Sequence, residues 1–129
     1  MRHAPVLRPA PLPSYATLIT TVARCWRLAR IQGESGQQRL HALLAPLDMG
    51  LLAPVFDSLM TLCEAAFGRP LLVGEARALS RDETVLLGLI DGSRSRRSCV
   101  NCAAGTATAL DCAICSTRIM LRMAITGRG

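Results

Sequence analysis

The chain contains no lysine, and all fifteen of its basic residues are arginine. A genome rich in G and C produces that pattern as readily as a need for guanidinium forks, so the absence alone excludes nothing. Aromatic residues are nearly as scarce: only Tyr15, Trp26, Phe56 and Phe67 occur. The rest of the apolar half is mostly Ala, Leu, Val and Ile, a composition that favours helices over sheets and counts against an all-β domain. Histidine is limited to His3 and His41, and there is no Gly-x-Ser-x-Gly elbow, phosphate-binding loop or His-Glu-x-x-His pair. Cys25 or Cys63 could serve as a nucleophile with His41 only if the fold brought them together, and no spacing requires that. A non-enzymatic role is the expectation.

No run of about 18 uncharged apolar residues is present, so no membrane-spanning helix is expected. The opening residues MRHAPVLRPAPLPSYATL are interrupted by Pro5, Pro9, Pro11 and Pro13 before a signal-peptide core can form. The expectation is a soluble, cytoplasmic protein whose six cysteines stay reduced. Its 129 residues suit one domain with a real core.

Charge is unevenly placed. The ends are basic, and eight of the nine acids lie between residues 31 and 93, with Asp111 the exception. Pairing of the basic ends with the acidic middle would neutralise much of the net +6, which weakens it as a sign of an acidic partner.

Residues 1–13, with four prolines, read as an extended arm. Ser14 then stands where a helix cap belongs, and Tyr15, Leu18, Ile19, Val22 and Trp26 follow at helical spacing. Arg24, Arg27 and Arg30 crowd the end of that helix, where its carbonyls favour cations. After the turn IQGESGQQ, Leu40, Leu43, Leu44 and Leu47 mark a second helix ending near Pro46 to Gly50. A third stripe, Leu52, Val55, Phe56, Leu59, Cys63, Ala66 and Phe67, stops at Gly68 and Pro70. Residues 71–78 read as a loop or short helix. Ser80 and Glu83 form a capping box for a fourth helix closed by Gly92. Residues 14–92 are the expected body, with Trp26, Leu43, Phe56, Leu59, Phe67, Leu86 and Ile90 in its core. Residues 93–129 comprise the basic linker SRSRRS and a cysteine-bearing final helix from about Asp111 to Thr126, packed on that body. The fold class predicted is all-α, a small single-domain bundle of about five helices.

The run GRPLLVGEARALSRDETVLLGLIDG, preceded by RLHALLAPLDMGLLAPVFDSLM, resembles an uncharacterised family of short bacterial proteins of unknown function over residues 37–92. The resemblance implies a helical fold and brings no activity. The family carries cysteines where this chain has VGEAR.

The stretch CVNCAAGTATALDCAIC holds two Cys-x-x-Cys pairs separated by nine residues. Cys99, Cys102, Cys112 and Cys115 meet the count for one tetrahedral zinc ion, and with Asp111 as a helix cap the ligand order resembles that of treble-clef sites. Against this, the separation is short of the usual span of about 15 to 20 residues. The intervening alanines favour helix, and one continuous helix would hold the pairs about 20 Å apart. A redox dithiol is a further reading, opposed by Asp111 beside Cys112. The third is that the thiols pack as small apolar groups. The expectation is a largely helical segment without metal or other cofactor. The protein would then act by contact with a protein partner or a second copy of itself. The alternative is a zinc-stabilised module that binds nucleic acid through Arg94, Arg96, Arg97, Arg118 and Arg122.

Overall fold

A computed structural model describes residues 14–126, so the expected proline-rich arm lies outside the described residues. Six helices follow one another: α1 (Tyr15–Ile31), α2 (Gly36–Leu44), α3 (Ala53–Phe67), α4 (Arg81–Asp91), the single turn α5 (Arg96–Cys99) and the long α6 (Ala104–Thr126). Five of them have seven residues or more, and no strand occurs among the described residues, so the all-α expectation holds. Two 3-10 turns, Ala45–Leu47 and Gly50–Leu52, carry the chain from α2 into α3.

Local chemistry sets most of these boundaries. Ser14 and Ser35 each accept a hydrogen bond from the amide three residues on, both at 3.2 Å, and so cap α1 and α2. Ser80 accepts from the Glu83 amide at 3.0 Å while the Ser80 amide donates to Glu83 Oε1 at 2.9 Å, completing the expected capping box. Gly68 and Gly92 close α3 and α4 with φ of +70° and +84°, a conformation in which a Cβ is strained.

Helix α2 packs between α1 and α3, α6 runs along α3, and α4 bridges α1 and α6. Trp26, Phe56, Leu59, Leu86 and Ile90 are all buried, as expected. Leu43 and Phe67 are corrections: they are half-buried at the margin of the core. Phe67 instead lies under the Arg69 guanidinium, 5.2 Å from the ring centre. At the centre, Trp26 donates from Nε1 to Asp57 Oδ1 at 2.8 Å, so the indole loses no hydrogen bond by being buried. A Cβ on Gly36 would lie 2.5 Å from the same indole, which makes that position a close approach as well as a turn.

The stretch Gly50–Phe67 is long and apolar enough to cross a membrane by length and composition, despite carrying Asp57 and Glu64. Its apolar side chains Phe56, Leu59, Met60 and Cys63 are spent on the protein core.

Segment 69–80 forms no helix, apart from a tight turn where the Ala78 amide donates to Glu75 O. Carboxylates hold it in place. Asp82 accepts from both terminal nitrogens of Arg69 at 2.6 and 2.8 Å and from the Leu72 amide at 2.8 Å. Glu83 accepts from Arg24 Nε at 2.8 Å and from the Gly74 amide at 3.0 Å, and Glu64 accepts from the Leu71 amide at 2.7 Å. Two acids that sequence patterning would leave in solvent are thus among the most buried polar groups, at 2% and 1% exposure for Asp82 and Glu83. Burial alone would raise both carboxyl pKa values. The Arg69 and Arg24 hydrogen bonds and the loop amides outweigh it and hold both below their ordinary values.

Candidate functional site

The final helix starts seven residues earlier than its sequence signals indicate. Asp111 is not its cap but lies inside it, paired with Arg96 of α5 at 2.8 Å. The expected basic linker is therefore partly helical, and its Arg96 bridges α5 to α6 while also donating to Val100 O at 3.2 Å.

This start decides where the thiols stand. Cys99 ends α5 and Cys102 lies in the connection, both half-buried, whereas Cys112 and Cys115 are exposed on α6. No group of three or more His, Cys, Asp or Glu that could hold a metal occurs among the described residues, so the four cysteines of the zinc reading are not gathered at one point here. Residues 104–115 are helical as expected, and the expectation fails only over 100–103.

The cysteines differ sharply in environment. Cys63 is buried in the core, where burial first, then the charges of Asp82 and Glu64, push its thiol up to about 12. Burial also raises Cys25, whose sulfur lies 3.8 Å from Arg39 O. His41 is exposed on α2 with its ring against Gly50, whereas the Cys63 thiol is buried in the core. Titration with a thiol reagent at neutral pH should therefore show Cys112 and Cys115 reacting first and Cys63 only after unfolding. Fast reaction of Cys63 in the native protein would contradict this placement.

Of the five arginines singled out as phosphate contacts, Arg96 and Arg118 have their guanidiniums engaged by the protein itself. Arg118 donates from Nε to Leu89 O at 3.0 Å and to Ile90 O at 3.2 Å, satisfying carbonyls at the end of α4. The stem of Arg94 lies over Gly88, whose missing Cβ makes room for it. With Arg96 held by Asp111, Arg94, Arg97 and Arg122 are the exposed residues of the five. Arg24 and Arg27 of α1 reach Glu83 and Glu64 at 2.8 and 3.7 Å, so part of the basic N-terminal region does neutralise the acidic middle. An open hollow of about 520 Å³ lies between Tyr15, Asp91, Gly92, Arg118, Arg122 and Ile125, with charges of both signs on its wall.

The feature that sequence reading missed is the outer face of α6. Its inner face buries Leu110, Ile114, Thr117 and Leu121. The opposite side is not polar: Ile119 is 53% exposed and Met123 62%, in line with the two exposed cysteines. Beside them Leu51, 82% exposed, borders a hollow of about 240 Å³ shared with Leu52, Met120 and Met123. Ile125 is 40% exposed near the helix end. A second stripe, Cys112, Cys115, Ile119 and Met123 at spacings of three and four, was legible in the sequence as an apolar face additional to the core one.

No family model matches the chain, and neither a curated protein nor a solved structure matches it.

Proposed function

We propose that this is a non-catalytic helical protein that works by macromolecular contact, and that its contact surface is the outer face of α6 with the adjoining corner at Leu51. The observation that carries this reading is that Leu51 and Met123, both more than half exposed, border one shallow hollow, with the equally exposed Ile119 one helical turn before Met123 on the same face of α6. Scattered apolar residues on a surface are ordinary, but a contiguous group flanked by methionine, whose flexible thioether adapts to varied partners, is the usual composition of a contact face.

A photo-crosslinking amino acid at position 119, in protein expressed in its own cells, should give an adduct that the same group at exposed position 77 does not give. Absence of an adduct, or equal yields from both positions, would refute the proposal. The rival reading, a zinc-stabilised nucleic-acid module acting through Arg94, Arg96, Arg97, Arg118 and Arg122, requires affinity that falls steeply with salt. The contact proposal expects no such salt-dependent binding to duplex or single strand.

A further inference from the structure

We infer that two copies of this chain associate through the outer faces of α6, antiparallel about a two-fold axis that passes between Ser116 and Thr117; this rests on the reading of that face as the contact surface. At 100° per residue, Thr108, Cys112, Cys115, Ser116, Ile119 and Met123 fall within about a 100° arc opposite the buried side chains. No charge lies within that arc. Asp111 and Arg122 both lie on one of its flanks.

Size and charge select the same arrangement. The first half of the stripe is small, with Thr108, Cys112, Cys115 and Ser116, and the second half is large, with Ile119 and Met123. An antiparallel partner sets Ile119 into the space over Cys112, Cys115 and Ser116, and Met123 over Thr108 and Cys112. A parallel partner would oppose large to large and leave a gap between the small residues, which close packing disfavours. A two-fold axis perpendicular to antiparallel helices also brings like flanks together. Asp111 of one copy then meets Arg122 of the other, and the pairing repeats at the far end, as a self-complementary interface requires. In the parallel arrangement that flank would face the uncharged flank of its neighbour. Asp111 already accepts from Arg96, but its side chain remains 52% exposed and keeps acceptor capacity facing outward.

The contact is about 22 Å long and one helix wide, small beside the roughly 800 Å² per partner of a standard interface, with Leu51 widening it at the Met123 end. A contact of this size is expected to be reversible on dilution.

Oxidation of a Met123→Cys variant in a Cys115→Ser background tests the arrangement. The antiparallel register places position 123 opposite Cys112 of the second copy, so a disulfide-linked dimer joined between positions 123 and 112 is expected, identified by its linked peptides. A 123-to-123 link, or failure to form a dimer, would overturn the proposal. Arg122→Glu, which sets like charges together at both ends, should weaken association at least tenfold while Arg122→Lys retains it; equal dimerisation of both variants would overturn the register. If position 119 photo-crosslinks to a different macromolecule while the chain stays monomeric, the contact surface stands and the antiparallel pairing falls.

Discussion

Glu83→Gln should cost about 2–4 kcal/mol of folding stability, read as a fall in Tm of roughly 10 °C or more. Glu83 is 1% exposed and accepts from Arg24, Gly74 and Ser80, so it ties α1, the 69–80 segment and the start of α4 to one carboxylate. Gln preserves shape and an amide-accepting oxygen but removes the charge facing Arg24. Breaking one partner of a buried pair costs about 3–5 kcal/mol, reduced here because the Arg24 side chain is 25% exposed. The pH dependence has a definite sign. With its folded pKa held below the ordinary 4.5, Glu83 contributes fully above that value, and its contribution is lost as pH falls through the folded pKa. Asp82 behaves likewise below its ordinary 3.8. Wild-type protein should therefore lose stability steeply below about pH 4.5, and Glu83→Gln should show a shallower fall over the same range. Parallel acid curves for the two proteins would contradict this role for Glu83.

Gly36→Ala should destabilise by about 2–4 kcal/mol, although replacing glycine by alanine in a helix normally stabilises by up to about 1 kcal/mol. The added Cβ would lie 2.5 Å from Cδ1 and Nε1 of Trp26 and 3.1 Å from Asp57 Oδ1, in the one place where the buried indole meets its acceptor. Displacing the ring strains the core and lengthens a hydrogen bond to a charged group, each worth about 1.5–3 kcal/mol. A red shift of the Trp26 fluorescence should accompany the loss of stability. Gly105→Ala is the control: nothing lies within 4 Å of its would-be Cβ near the start of α6, so it should be neutral or stabilising. A stabilising Gly36→Ala would contradict the packing described around Trp26.

Features that depend on local spacing were legible in the sequence. Ser80 and Glu83 announced their capping box because both partners lie within one turn, and the heptad-like leucines announced α2 and α3. Features that depend on distant partners were not. Arg24 carried a reasonable local assignment at the end of α1, yet its guanidinium goes to a carboxylate 59 residues away. Asp111 had the identity and position of a helix cap, but an ion pair with Arg96 from α5 leaves it free to sit mid-helix. The alanines of 103–109 favour helix while Gly105, Thr106 and Thr108 weaken it, so propensity alone left the start of α6 open. The earlier start adds Thr108 to the outer face of α6. The face itself was present in the spacing of residues 112, 115, 119 and 123. Ile114, Thr117 and Leu121 already give the same helix one apolar stripe, which masks a second.

Sedimentation equilibrium of the reduced protein from about 1 to 300 µM, beside Ile119→Arg, tests the central claim about that face most directly. Wild type should rise from the 13.8 kDa of one chain toward twice that mass across the series. Ile119→Arg should stay at one chain's mass with unchanged helix content, because Ile119 is 53% exposed and makes no part of the core. A wild-type protein that remains at a single chain's mass throughout, or a variant that dimerises equally well, would contradict the assignment of α6 as a self-association surface.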